Sequence, residues 1–228
     1  MRTGGRLINR DGDARFGVFA EAVSEVNYRD YDLRSPMDRR RGPLARHLRF
    51  QQFQFLGGLS ESLVMGCAII DLKLVGQAFL YFYEPATRRL AEWSLRTPLA
   101  MGTTMDQRPE DGSCTFRSGA NHVAITATSD PQQRQLWVRL ANGVEVDAVF
   151  DESSPPQHPM WISTPAGANG FVFARKTAGA TVTGTVRWEG RTWDLGETGM
   201  LGHNDWSAGY MRRETFWNWG CTAGRLAD

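Results

Sequence analysis

Apolar and polar positions alternate with a period of two over most of the chain beyond residue 44, the pattern of strands with one face buried. Leu48 and Phe50 alternate with Arg49 and Gln51, and Phe53 and Phe55 continue on the other parity, so Gln51-Gln52 is predicted to be a bulge. Gly57-Gly58 reads as a turn. Leu63 to Ile70 and Gln77 to Tyr83 are apolar strands, followed by strands over Leu90 to Arg96, Ser113 to Ser118 and Asn121 to Thr128. Gln135 to Leu140 and Val144 to Phe150 flank Asn142-Gly143, whose tolerance of positive φ predicts a type I′ hairpin. Gly170 to Lys176, Ala180 to Trp188 and Arg191 to Leu195 are three further short strands, with Glu189-Gly190 as a tight turn. Phe16 to Val26 fits a short strand or a helix equally well. Short strands, Gly/Pro punctuation and almost no helix predict an all-β barrel or sandwich.

The punctuation also divides the chain. Residues 1–45 form a polar, Arg-rich segment, with eleven arginines against seven acids up to Phe50. Asp151 to Pro159, with Pro155, Pro156 and Pro159, is the best boundary. A first β-barrel is therefore expected over 46–154 and a second β-domain from 160 to 228.

Composition excludes several functions. The 26 basic and 25 acidic residues leave a formal charge of +1, which argues against nucleic acid as a partner. Cys67, Cys114 and Cys221 are odd in number and far apart, and only four histidines accompany them, so no zinc spacing or disulfide framework is present. The longest apolar run, Leu63 to Ile70, is too short for a membrane span, and no signal sequence opens the chain. A cytoplasmic protein without metal or cofactor is expected. P-loop, dinucleotide-binding and HExxH motifs are absent, and Asp205-Trp206-Ser207-Ala208-Gly209 lacks the first Gly of a serine nucleophile elbow.

Candidate chemistry concentrates in Gly199 to Gly220, and five of the eight tryptophans fall between residues 188 and 219. Clustered aromatics with a few titratable groups suit an apolar ligand pocket with polar anchors. Asp205 and His203 are the catalytic candidates, since a carboxylate desolvated by Trp rings can act as a general acid near neutral pH. Trp206, Trp217 and Trp219 are the candidate walls, with Tyr210 and Arg213 as further ligand contacts. The structural readings stand beside these: Trp217 and Trp219 filling a barrel, Asp205 paired with Arg212, Arg213 or turn amides, and His203 in a loop.

From these residues the chain resembles a bacterial family known as domain of unknown function 2804. The resemblance runs through Phe53 to Tyr83, Val182-Thr183-Gly184-Thr185-Val186 and Gly190-Arg191-Thr192-Trp193. It is strongest at Gly202-His203-Asn204-Asp205-Trp206-Ser207-Ala208-Gly209 and Arg213-Glu214-Thr215-Phe216-Trp217-Asn218-Trp219-Gly220. A more distant similarity to hydroxyneurosporene synthase relatives rests on Asp-Trp followed by Trp-x-Trp. It implies a lipocalin-like double β-barrel and an apolar, lipid- or isoprenoid-like ligand. Family members run on past the Trp-x-Trp strand, so the resemblance implies a fragment: the first barrel and the opening of a second, whose unpaired edge would self-associate.

Three functions follow as expectations. The leading one is a binding module for an apolar small molecule. The second is an acid-initiated hydratase, isomerase or cyclase of an unsaturated lipid, with Asp205 as proton donor and His203 orienting it. The third is a structural β domain with no small ligand. A carbohydrate site built on Asp205 and Glu214 is a further variant, decided by their separation.

Overall fold

The protein is described from a computed structural model covering residues 3–212 and 219–224. Among these residues the chain opens with β1 (Thr3–Gly4), β2 (Gly17–Phe19) and β3 (Ala22–Val23), then a 3-10 turn at Tyr28–Asp30 and one α-helix, α1 (Pro43–Arg49). Next come β4 (Gln51–Leu59), β5 (Val64–Asp71), β6 (Val75–Glu84), β7 (Arg89–Pro98), β8 (Thr103–Met105), β9 (Ser113–Ser118) and β10 (Asn121–Ser129). The chain continues through β11 (Gln132–Arg139), β12 (Glu145–Asp151), β13 (Met160–Pro165), β14 (Phe171–Trp188), β15 (Arg191–Asp194) and β16 (Leu201–Gly209). The predicted all-β class is correct.

Fourteen strands form one curled antiparallel sheet in the order β7-β6-β5-β4-β16-β14-β12-β11-β10-β9-β8, with β13 and β15 attached to β14, and β2 to β13. β16, the last strand among the described residues, is thus central: it joins the β4–β7 meander to the strands that follow the meander. β8 and β9 pack back across β5 and so curl the sheet around its contents.

Two cores fill the two ends. The larger takes alternate residues from both arms, including Met65, Cys67, Ile69, Leu80, Phe82, Phe116, Leu136, Val146, Phe150 and Val182, with Trp188 and Trp193 at its rim. The second joins the N-terminal segment to the sheet: Leu7, Val23, Val26, Tyr28, Tyr31 and Leu33 pack on Phe50, Trp161, Phe171, Phe173, Trp206 and Tyr210. The first 45 residues, polar by composition, therefore contribute a buried layer.

Several local expectations are corrected. The alternation beginning at Leu48 is helical, because Gly42-Pro43 sets a helix start at Pro43 and the residues that follow are mostly good helix formers. No bulge occurs at Gln51-Gln52: β4 simply starts there and stays in register with β5 and β16. Gly57 and Gly58 lie inside β4 rather than in a turn, beneath the side chains of His203 and Met200. Residues 16–26 hold two short strands. Asn142 does not take positive φ, so the Leu140–Val144 loop is a three-residue turn closed by Gly143 at φ 86°, not type I′. The type I′ hairpin is at Glu189-Gly190 instead, with φ 51° and 75°, and it stacks Trp188 on Trp193.

The two strands expected over 170–176 and 180–188 are one, β14, with a bulge between Ala178 and Ala180. Gly179 accommodates it at φ 91°. The bulge switches parity: Phe171, Phe173 and Arg175 face inward before it, Ala180 and Val182 after it.

Candidate functional site

β16 runs between β4 and β14, and its alternation sorts the candidate residues onto opposite faces. Asn204, Trp206 and Ala208 point inward; His203, Asp205 and Ser207 point to the outer face. His203 and Asp205 are therefore neighbours on a central strand, and His203 is not in the loop that the sequence left open for it.

On the outer face, His203 lies opposite Gly57 of β4, and Asp205 lies between Phe55 of β4 and Lys176 of β14. A Cβ at position 57 would overlap the His203 ring, so glycine there is what lets the imidazole lie down on β4. Phe55 stacks against it at 5.4 Å between ring centroids and Trp219 at 5.0 Å. Phe53 and Phe79 extend the aromatic surface from Phe55 at 6.3 and 6.1 Å, and Tyr81 lies over Gly66 in the same way that His203 lies over Gly57. His203 is 5% exposed, and neither ring nitrogen has a hydrogen-bond partner among the described residues. Burial pushes its pKa down to about 4, so the imidazole is neutral at pH 7. Asp205 Oδ2 accepts from Lys176 Nζ, while its Oδ1 is buried and has no partner among the described residues. Trp219, 46% exposed, forms the outer boundary of the cluster. Cys221 lies close enough to Lys176 to feel its charge, although burial, the larger influence, raises the thiol.

The structure thus brings together His203, Asp205 and Trp219 and sets the other candidates apart. Trp206 is fully buried on the inner face, edge-on to Phe173. Tyr210 belongs to the N-terminal core, among Tyr28, Tyr31, Phe50 and Phe171, and its hydroxyl donates to the Tyr28 carbonyl at 3.2 Å. Trp217, Arg213 and Glu214 lie outside the described residues. Lys176 is a cation paired with Asp205 that the sequence reading did not name. No group of His, Cys, Asp or Glu among the described residues is arranged to hold a metal.

Sequence reasoning missed a second polar cluster, on the inner face. Arg175 donates to Glu110 at 2.6 Å and to both oxygens of Glu152 at 3.1 and 2.5 Å. Arg134 donates to Glu110 at 3.2 Å and to the Pro109 carbonyl at 2.6 Å, while Trp161 Nε1 and Thr177 Oγ1 donate to Glu110 and Glu152. All four charged side chains are buried. Burial alone would raise the Glu152 carboxyl; Arg175 and Arg134 outweigh it and, with hydrogen bonds from Arg175 and Thr177, hold it at about 2. The signal was present in the pattern, since Arg134 shares the parity of Leu136 and Val138, and Arg175 that of Phe171 and Phe173. This cluster closes the inside of the sheet against the 106–112 loop.

The match that decides the family spans the whole sequence: the profile described as a domain of unknown function (DUF2804) covers residues 1–228. The chain belongs to the DUF2804 family. No curated protein matches the sequence significantly. Among solved structures, the DUF2804 chain is similar to a protein of Nitrosomonas europaea provisionally described as AttH, at 9% identity and a TM-score of 0.51, over 70% of this chain and 50% of that one. Kievitone hydratase from Nectria haematococca is also similar, at 8% identity and a TM-score of 0.48, over 68% and 47% of the two chains. The DUF2804 chain spans about half the length of each. The shared architecture is lipocalin-like, and at this identity it establishes the fold alone. No helix among the described residues is long and apolar enough to cross a membrane.

Proposed function

We propose that this DUF2804 protein binds an apolar small molecule of lipid- or isoprenoid-like character against the outer aromatic face of β4, β5, β6 and β16. The observation that carries this reading is His203: an imidazole buried among aromatic rings with both nitrogens unpartnered among the described residues. A buried polar group is ordinarily satisfied, and leaving one bare costs on the order of 1–3 kcal/mol. A ligand with one polar atom, lying along Phe53, Phe55, Phe79 and Tyr81, supplies the missing hydrogen bond, and Trp219 closes over it. The inner face has an unpartnered buried side chain of its own, Asn204, but among the described residues that face is occupied by the two apolar cores and the ion-pair cluster.

The test is native mass spectrometry of the protein purified gently from its host, beside its Trp219→Ala variant. A reproducible apolar adduct on the wild type, weakened in the variant, is the expected result. A bare mass for the wild type would overturn the proposal. A second reading, acid-initiated chemistry on an unsaturated lipid, is favoured by Asp205 Oδ1, buried beside His203 and without a partner among the described residues. Under that reading the recovered ligand, incubated with fresh protein, gains the elements of water or changes its isomer.

A further inference from the structure

We propose that the protein forms a symmetric dimer by pairing the free edge of β7 with that of a second copy. β6 covers one edge of β7 over its full length, and no strand among the described residues pairs with the other. β9 approaches β7 without backbone pairing. Alternate residues of this ten-residue strand therefore present unpaired backbone groups at the open edge, a ready template for another strand.

The side chains on that edge fit a copy of themselves. Ala91, Trp93 and Leu95 face the core and are only half buried, and no strand among the described residues pairs beyond them. Leu90, Glu92, Ser94, Arg96 and Pro98 are exposed on the other face. Neither Glu92 nor Arg96 has a hydrogen-bond or ionic partner among the described residues.

Symmetry then leaves few registers. A two-fold axis normal to the sheet continues it antiparallel and pairs residues of the same parity, so core-facing side chains meet core-facing ones. With Trp93 on the axis, Glu92 meets the partner's Ser94. With Leu95 on the axis, Glu92 meets the partner's Pro98 and Arg96 meets the partner's Ser94. With Ser94 on the axis, each Glu92 lies directly opposite the partner's Arg96, and Leu90 opposite the partner's Pro98. In that same register Trp93 lies opposite the partner's Leu95 and Ala91 opposite the partner's Thr97. Only this arrangement forms both charge pairs while covering the half-buried edge of the core. Charges on an edge strand usually deter pairing; here they select one register of self-pairing.

Sedimentation velocity over about a hundredfold range of concentration tests the proposal, since mass action sets the dimer fraction. The wild type should dimerise, and more weakly at high salt. Glu92→Arg places arginine opposite arginine twice and should weaken the dimer about tenfold or more. Adding Arg96→Glu to it exchanges the charges and should restore the dimer. On a Cys221→Ser background, Ser94→Cys should cross-link to itself under mild oxidation. A wild type that stays monomeric throughout, a dimer indifferent to Glu92→Arg, or a charge exchange that fails to restore it would each overturn the proposal. Both exchanged positions are exposed, and an unchanged circular dichroism spectrum shows that the variants keep the fold.

Discussion

Replacing Glu152 with glutamine keeps the shape of the inner ion-pair cluster and removes one of its two negative charges. Arg175 and Arg134, both fully buried, are then left with Glu110 alone. Removing one member of a buried ion pair generally costs about 3–5 kcal/mol, because an uncompensated charge remains in a poorly polarisable interior. The pKa of Glu152 leads to a similar figure: a fall from 4.5 to about 2 corresponds to about 3 kcal/mol of preference for the charged form in the folded state. The sign follows from the direction of the shift. A carboxyl whose folded pKa is depressed contributes stability that is complete above its unfolded value and lost as pH falls towards its folded value. The window is therefore pH 4.5 down to about 2. Urea unfolding followed by circular dichroism should show Glu152→Gln about 3 kcal/mol less stable than wild type at pH 7. The difference should shrink steadily between pH 4.5 and 2, as the wild type loses what the variant never had. A loss under about 1 kcal/mol at pH 7, or a gap that stays constant on acidification, would refute the role given to this cluster.

Two further outcomes concern His203. Its folded pKa of about 4 lies below the ordinary 6.5, so the unfolded chain binds the extra proton first and stability falls as pH drops from 6.5 to 4. His203→Phe should abolish that part of the acid limb while keeping the stacking on Phe55 and Trp219; urea midpoints at pH 7 and pH 5 measure it. Gly57→Ala forces a methyl group into the His203 ring and against the edge of Phe55 and should destabilise the protein by about 1–3 kcal/mol, whereas in a His203→Ala background only the lesser contact with Phe55 remains and the same change should cost clearly less. A cost equal in both backgrounds would show that the clash lies elsewhere.

How much of this was legible depends on the range of the cause. The strands over 113–118 and 121–129 are read almost to the residue, because alternation and turn residues are local. Leu48 was misread because two apolar residues flanking Arg49 fit a helix as well as a strand, and only Gly42-Pro43 upstream distinguishes the two. Gly57-Gly58 looked like a turn because the reason for glycine there, the His203 ring, lies almost 150 residues away in sequence. The same distance hid the site's true composition. His203, Asp205 and Trp219 were singled out from one dense segment, yet Phe53, Phe55, Phe79 and Tyr81 join them only through the pairing of β16 with β4. Trp206 was grouped with its neighbours in sequence, and strand alternation sends it to the opposite face.

The central place of β16 also dictates an order of events during synthesis. β4 to β7 can pair as a meander as soon as they are made, and so can the hairpins from β8 to β12. The two arms have no common strand until residues 201–209 exist, and those residues must insert between β4 and β14. Until then β4 waits with one edge bare, carrying Phe53 and Phe55 into solvent. Contacts spanning such a length of chain form slowly, and an exposed apolar strand in the interval is open to misassociation. The arrival of β16 is accordingly the event that ends this exposure of β4.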